Sequence, residues 1–209
     1  MNLQAKLLER FLRYVAVTSQ SNAAVKTVPT TSGQRELAEL LKTELAELGL
    51  VDLEISEFSV LTGKLPANLP AGHHAVPAVG WVAHLDTVDV CLNADIHPHV
   101  VKNYQGGDIM LNAEKDIVLR VSDFPEMQNY IGKTMITTDG TTLLGADDKG
   151  GVAAIMYAAQ YLMEHPEVKH GDIKIGFTPD EEVGRGVVKF DVNKFGAKYA
   201  YTIDGGEIG

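Results

Sequence analysis

Residues 151–182 have the sequence GVAAIMYAAQYLMEHPEVKHGDIKIGFTPDEE, in which a helix, a strand and a run of acids follow one another. Residues 151–163 are apolar and mostly small, which predicts a helix that packs closely on a sheet. Residues 173–177 form a short apolar run with two isoleucines, which predicts a strand. A helix followed directly by a strand favours an α/β layered fold.

The same alternation continues on both sides of this stretch. Apolar residues at helical spacing predict amphipathic helices over residues 3–16 and from Thr31 to Leu48. In the second helix, Thr31 and Gln34 have the spacing of a capping box, and Gly49 ends the helix. Residues 87–108 are predicted to be irregular. Strands are predicted at 51–65 (one or two), 76–83, 109–120 (a hairpin), 134–138 and 198–203. The hairpin-like pairing indicates that the sheet is mixed.

The composition limits the classes of partner. The chain has 209 residues, of which 45% are hydrophobic and 22% charged, an ordinary balance for a globular protein. Its 18 basic and 28 acidic residues give a net charge of −10. Nucleic acids and anionic membranes attract clustered Lys and Arg, so neither is expected as the main partner. The acidic excess suits a protein whose carboxylates hold cations.

The compartment is expected to be the cytoplasm. A single cysteine, Cys91, cannot form an internal disulfide, and it is expected to be a small buried residue rather than a zinc ligand. Lys6, Glu9 and Arg10 interrupt any apolar segment of a secretion signal. The apolar stretch at 151–163 is shorter than the ~20 residues that span a membrane.

Acidic residues follow three of the predicted strands and form the candidate functional site. The runs are His84-Leu85-Asp86, Asp147-Asp148, Asp180-Glu181-Glu182 and Asp204 before Gly205-Gly206. Carboxylates at the ends of buried strands are costly unless a positive charge lies between them. Ligands in open α/β sheets also gather at the carboxyl ends of strands. The four runs together therefore indicate one divalent-metal site and a metallohydrolase.

Each run also has an ordinary structural explanation. His84 and Asp86 could be a surface pair, and Asp147 with Asp148 could simply be acids favoured at a helix N-terminus. The acids at 180–182 could be an exposed charge run, although one glutamate could bind a metal while another holds the water that the metal activates. The remaining histidines carry no assigned role: His73, His74, His97, His99, His165 and His170.

Several longer strings give a resemblance to a known family. They are NYQGGDI at 103–109, ITTDG at 136–140, GADDK at 145–149 and YTIDGG at 201–206. With these strings the chain resembles the peptidase T branch of the co-catalytic zinc peptidases, which also include carboxypeptidase G and aminoacylase. The resemblance implies a three-layer α/β/α catalytic domain with a mixed central sheet. It also implies a tripeptide aminopeptidase that uses two zinc ions.

The resemblance further implies a role for each site residue. His84 and Asp204 would bind one zinc ion, Glu182 the second, and Asp147 would bridge them, joined to Asp148 by a cis peptide bond. Asp86 would orient His84. Glu181 would be the general base acting on the bridging water.

Members of this branch are longer than this chain, which leads to several further expectations. Residues 1–209 are expected to be the N-terminal part of the catalytic domain, incomplete at its C-terminal side. An inserted domain that forms a homodimer, and a returning segment that supplies another zinc-binding histidine, would be absent. The chain alone is then expected to bind at most one metal ion tightly and to be inactive. A related dipeptidase or amino-acid deacylase, or a non-catalytic module that keeps the fold, are the alternatives.

Overall fold

The computed structural model describes residues 3–70, 76–90 and 95–206. His73, His74 and Cys91 lie outside the described residues. The chain divides into two compact units, one formed by Met1–Asp89 with Gly145–Gly209 and the other by Val90–Leu144. All the candidate site residues belong to the first unit.

Helices and strands alternate as predicted, which confirms the α/β class. In chain order they are α1 (Leu3–Val15), α2 (Ser32–Glu47), β1 (Val51–Ile55), β2 (Leu61–Leu65), β3 (Val79–His84), β4 (His99–Val101), β5 (Ile109–Asn112), β6 (Ile117–Leu119), a 3-10 helix (Pro125–Tyr130), β7 (Met135–Thr137), α3 (Ala146–Glu164), β8 (Ile173–Thr178), α4 (Val192–Phe195) and β9 (Tyr199–Thr202). None of the described helices is both long enough and apolar enough to cross a membrane.

The first unit contains a mixed five-stranded sheet in the order β1-β2-β8-β3-β9. β2 runs antiparallel to both β1 and β8, whereas β3 lies parallel between β8 and β9. In this register His84 pairs with Thr178, and Val82 pairs with Thr202. The carboxyl ends of three neighbouring parallel strands therefore lie side by side at one end of the sheet.

Helices hold this sheet in place. α2 packs on β1 and β2, α3 packs on β3, and α1 packs on α3. In α2, Leu37, Leu41 and Leu45 recur every four residues and are fully buried. Burying a leucine side chain contributes roughly 1.5–3 kcal/mol, so this one stripe is a substantial part of the core. Of the strands whose ends form the candidate site, β8 is almost wholly buried and β3 is partly buried, whereas all four residues of β9 are exposed.

A short segment around α4 also packs on the sheet, at positions where it carries glycine. A Cβ at Gly80 would lie 2.6 Å from Phe195 Cε1, and a Cβ at Gly176 would lie 3.2 Å from both Phe190 and Phe195. The two aromatic rings stack edge to face with centroids 4.9 Å apart. Glycine at position 80 therefore allows the close approach of Phe195 to β3.

The second unit has its own small core. β4 pairs antiparallel with β7, and β5 pairs antiparallel with β6. Tyr104, Ile109 and Met127 form a buried cluster between these elements. The predicted hairpin at 109–120 and the predicted strand at 134–138 are confirmed. β4 lies within residues 87–108, which were predicted to be irregular.

Three other local predictions need correction. β3 starts at Val79 rather than Val76, because Pro77 has no N–H to donate to the ladder. α3 starts at Ala146, so its first turn includes Asp147 and Asp148, both with non-helical backbone angles. The capping box is not formed: the Thr31 side chain caps no backbone N–H, and Gln34 Nε2 points to Asp180 Oδ1 at 2.7 Å.

Candidate metal centre

The candidate residues lie at one end of the five-stranded sheet. His84 is the last residue of β3, Glu181 and Glu182 follow β8, and Asp204 follows β9. Asp147 lies in the first turn of α3. Since β3, β8 and β9 are parallel and in register, their carboxyl ends place these side chains on neighbouring segments.

Three of these side chains converge on one point. His84 Nε2 lies 2.9 Å from Asp147 Oδ1 and 4.0 Å from Asp204 Oδ2. One ligand atom from each residue falls within 4.8 Å of the other two, a spacing that could hold a metal ion. His84 is buried, whereas the Asp147 side chain is 62% exposed and that of Asp204 is 36% exposed. One imidazole and two carboxylates open to solvent form a ligand set that suits zinc.

Asp86 holds the other side of the imidazole. His84 Nδ1 lies 3.3 Å from Asp86 Oδ1 and donates a 3.0 Å hydrogen bond to the backbone oxygen of Asp86. A hydrogen on Nδ1 leaves Nε2 as the free ligand atom, and it faces the two carboxylates. Asp86 is fully buried, so its contact with the ring is shielded from water.

The Asp86 carboxylate also holds the backbone after β8. Its Oδ1 accepts a hydrogen bond from the Glu181 N–H at 2.9 Å, and its Oδ2 accepts one from the Glu182 N–H at 3.1 Å. The family resemblance implied a contact of Asp86 with His84 alone. One buried carboxylate thus connects the imidazole with both glutamates, a link that spans 95 residues along the chain and leaves no periodic pattern.

Asp148 was assigned no binding role from the sequence, and it ties the site together. It is buried; its Oδ2 accepts a 3.0 Å hydrogen bond from the His84 N–H, and its Oδ1 accepts one from Gly151 at 3.1 Å. The Asp147–Asp148 peptide bond is cis, as the resemblance implied. Asp147 Oδ1 lies 2.9 Å from His84 Nε2 and so faces the cluster, while Asp148 anchors the end of β3 to the start of α3.

Glycine at position 151 permits this arrangement. A Cβ there would lie 2.3 Å from Asp148 Oδ1 and 2.3 Å from the backbone oxygen of Ile203, which precedes Asp204. Contacts that short do not occur between real atoms, so a larger residue would push the end of β9 away from α3.

The two glutamates stand apart from the three-residue cluster. Among the described residues, the group with metal-binding spacing contains neither Glu181 nor Glu182. Burial, followed by the charge of Asp147, raises the pKa of Glu182 above its ordinary value. Glu182 is therefore close enough to the cluster to interact with it electrostatically, whereas Glu181 is exposed to solvent.

Burial and neighbouring charges strongly shift the pKa values of two groups at the metal centre. Burial lowers the pKa of the His84 imidazole, but hydrogen bonds that the ring donates to Asp86 and Asp147 and the charges of Asp86 and Asp148 outweigh it and raise the pKa to about 10. Burial also raises the pKa of Asp148 to about 7. So many acids around one imidazole create a strong preference for a positive charge at this position.

Comparisons with known proteins show which proteins this chain is similar to. Residues 134–207 match the model of peptidase family M20/M25/M40, a range that includes Asp147, Glu181, Glu182 and Asp204. Peptidase T of Caldanaerobacter subterraneus is 52% identical over 205 residues, which are 98% of this chain and 49% of that protein. Peptidase T of Fusobacterium nucleatum is 55% identical over 204 residues, 97% of this chain and 48% of that protein.

This chain resembles peptidase T. Identity above 50% over nearly all of its residues confirms the resemblance inferred from the four strings. The chain spans about half the length of the curated peptidase T relatives it matches. His84 and Asp86 lie before the range of the family match but within the peptidase T matches, which cover 97–99% of the chain.

Solved structures support the same fold. The aminopeptidase PepT from Bacillus cereus superposes with a TM-score of 0.67 at 27% identity, covering 97% of this chain and 43% of that one. A tripeptidase from Staphylococcus aureus superposes with a TM-score of 0.66 at 24% identity, covering 98% and 44%. The mixed α/β architecture is therefore that of aminopeptidase PepT and similar peptidases.

Proposed function

We propose that this chain carries the metal-binding part of an aminopeptidase that releases the N-terminal residue of tripeptides. The observation that carries the proposal is the convergence of His84, Asp147 and Asp204 at the ends of adjacent parallel strands. The resemblance to peptidase T supplies the reaction class. The substrates would be small peptides, and the compartment would be the cytoplasm. A homodimer would form through the additional residues that the longer relatives contain.

Each site residue has a part in this proposal. His84, Asp147 and Asp204 would hold one zinc ion, and Asp147 with Glu182 would contribute to a second. Bound zinc would polarise the scissile carbonyl and lower the pKa of a bound water. Glu181 would accept the proton of that water and later pass it to the leaving amine. Asp86 would keep the His84 ring and the backbone of both glutamates in register.

The number of ligands limits what this chain can do alone. The first position has three protein ligands and room for water, as catalytic zinc sites usually have. Among the described residues, the second position has only Asp147 and Glu182. We therefore expect one tightly bound Zn²⁺ per chain and negligible hydrolysis of tripeptides. Elemental analysis after dialysis and a ninhydrin assay on a tripeptide will check both points.

The matched control is a version of the protein extended to the length of its peptidase T relatives, here called the extended version. It is expected to bind a second ion and to cleave tripeptides in preference to dipeptides and N-acetylated amino acids. Fast tripeptide cleavage by the pure 209-residue chain would refute the ligand count. Preference for N-acetylated amino acids would instead favour the deacylase alternative.

Zinc binding should depend steeply on pH. The pKa of His84 is about 10 in the folded chain and 6.5 ordinarily, so its protonated form stabilises the metal-free fold below pH 6.5, and this stabilisation is lost as the pH rises through 10. Zinc needs the neutral ring and must displace this proton. We expect the apparent Zn²⁺ association constant to rise roughly tenfold per pH unit from pH 7 to 9.

Competition with a chromophoric chelator at pH 7, 8 and 9 will measure this slope, corrected for the chelator's own protonation. Calorimetry in buffers of different ionisation enthalpy should show about one proton released per Zn²⁺. An affinity that does not change over this range would mean that the ion binds elsewhere than at His84.

A further inference from the structure

Asp180, the first acid of the run at 180–182, is fully buried and is not part of the three-residue cluster of the metal centre. Its carboxylate accepts hydrogen bonds from the Thr30 N–H at 2.9 Å, the Thr30 hydroxyl at 2.5 Å and Gln34 Nε2 at 2.7 Å. In return, Gln34 Oε1 accepts the Asp180 N–H at 2.9 Å. We call Thr30, Gln34 and Asp180 the clamp.

The clamp is built to hold a buried charge. Thr30 is 7% exposed and Gln34 is fully buried. A carboxylate away from water is costly unless its oxygens are satisfied, and hydrogen bonds to charged groups are stronger than those between neutral groups. Losing one donor would leave charged oxygens partly unpaired, so the three residues act as a unit.

The clamp adjoins the turn that carries both glutamates. Asp180 has a left-handed backbone angle of φ 57°, its carbonyl accepts the Arg185 N–H at 2.8 Å, and the Glu181 carbonyl accepts the Gly184 N–H at 2.7 Å. Arg185 Nη1 also donates to the backbone oxygen of Val25 at 2.7 Å. The turn at 180–185 is thus anchored twice to residues 25–34.

The other side of the same turn is held by Asp86. The N–H groups of Glu181 and Glu182 donate to that carboxylate, whereas Asp180 points back to Thr30 and Gln34. The backbone of the two glutamates is therefore fixed from two sides by two buried carboxylates. Without the clamp, the turn would keep its contacts with Asp86 and the bond from Arg185 to Val25 but lose the tie at its first residue.

We propose that Thr30, Gln34 and Asp180 are positioning residues that fix the turn at 180–185, so that Glu181 and Glu182 meet the metal centre in a fixed geometry. The roles of the two glutamates rest on the proposed function, whereas the anchoring of the turn does not. If the clamp merely joined α2 to the sheet, its loss would destabilise all parts of the first unit equally. If the clamp positions the turn, its loss would increase the mobility of residues 180–185 more than that of the rest of the unit.

Amide hydrogen exchange, measured by NMR on the 209-residue chain, separates these two cases. Thr30→Val removes the hydroxyl while keeping the shape of the side chain, and Thr30→Ser keeps the hydroxyl. In Thr30→Val the amides of Glu181 and Glu182 should exchange about tenfold faster or more, whereas those of Ile175 and Phe177 in β8 should change by less than about twofold. In Thr30→Ser, the amides of Glu181 and Glu182 should exchange as slowly as in the parent chain.

The same pair tests the consequence for turnover in the extended version. Thr30→Val should lower kcat about tenfold or more with little change in KM, and Thr30→Ser should recover most of it. If the extended version cleaves no peptide, the proposed function fails, but the exchange measurement still decides the anchoring. Conversely, unchanged amide exchange rates at Glu181 and Glu182 would refute the positioning role of the clamp without affecting the proposal that the chain binds zinc.

A second variant guards against a general loss of folding. Gln34→Met keeps the length of the side chain but removes both its donor and its acceptor, and it should give the same local acceleration. Equal acceleration at every measured amide in both variants, or unfolding of both, would overturn the proposal, because the clamp would then be a general element of stability.

Discussion

Replacing His84 with alanine is expected to lower the Zn²⁺ affinity of the chain by more than about 100-fold. Changes to residues that merely orient a metal ligand already cost about 10–100-fold, and His84 is the ligand itself and the sole nitrogen donor of the cluster. The two remaining carboxylates are partly exposed and attract a divalent cation only weakly. Competition with a chromophoric chelator at pH 8 will measure the loss.

The matched control is His165→Ala. His165 stacks on Tyr161 and pairs with Glu167, and its side chain is 40% exposed. Its removal should leave Zn²⁺ affinity within about twofold of the parent. Thermal unfolding of both variants will show that the chain stays folded. Equal Zn²⁺ affinity in the His84 variant and the parent would remove His84 from the site.

Replacing Glu181 with alanine is expected to lower kcat of the extended version by about 10²–10⁴-fold, the usual contribution of a general base. Metal content should stay unchanged, because Glu181 is not part of the three-residue cluster. The backbone N–H that Glu181 donates to Asp86 survives the substitution, so the turn should keep its place. Initial rates on a tripeptide and elemental analysis of the same samples will test both statements.

Glu36→Ala serves as the control, since Glu36 is an exposed glutamate on α2 that belongs neither to the three-residue cluster nor to the clamp. It should leave both turnover and metal content unchanged. A Glu181→Ala variant that kept the parental rate would show that another group accepts the proton. Loss of zinc together with loss of rate would instead place Glu181 among the ligands.

Much of the fold could be predicted from periodicity. The leucine stripe of α2 and the short apolar run of β8 reflect local burial, which spacing along the chain reports directly. β9 was predicted from a similar apolar run, although its four residues are exposed. The short strand β4 could not be predicted, because its pairing partner decides where it lies. β4 pairs through His99 with Thr137, and three residues carry too little pattern to stand out.

Part of the site could also be predicted from the positions of the apolar strands. His84 and Asp204 each follow an apolar strand, so the rule that ligands gather at carboxyl ends of parallel strands places them together. The same rule says nothing about which acids face inward. Asp148 and Asp180 looked like members of charge runs, yet both are buried and bind partners 64 and 146–150 residues away. Gln34 was predicted to cap its own helix but binds Asp180 instead.

The most direct test of this account is the position of the metal ion. Crystals of the 209-residue chain grown with one equivalent of Zn²⁺, measured at the zinc absorption edge, should show one anomalous peak per chain. We expect that peak within bonding distance of His84 Nε2 and of carboxylate oxygens of Asp147 and Asp204. A peak bound by other residues, or none at full zinc saturation, would contradict the account.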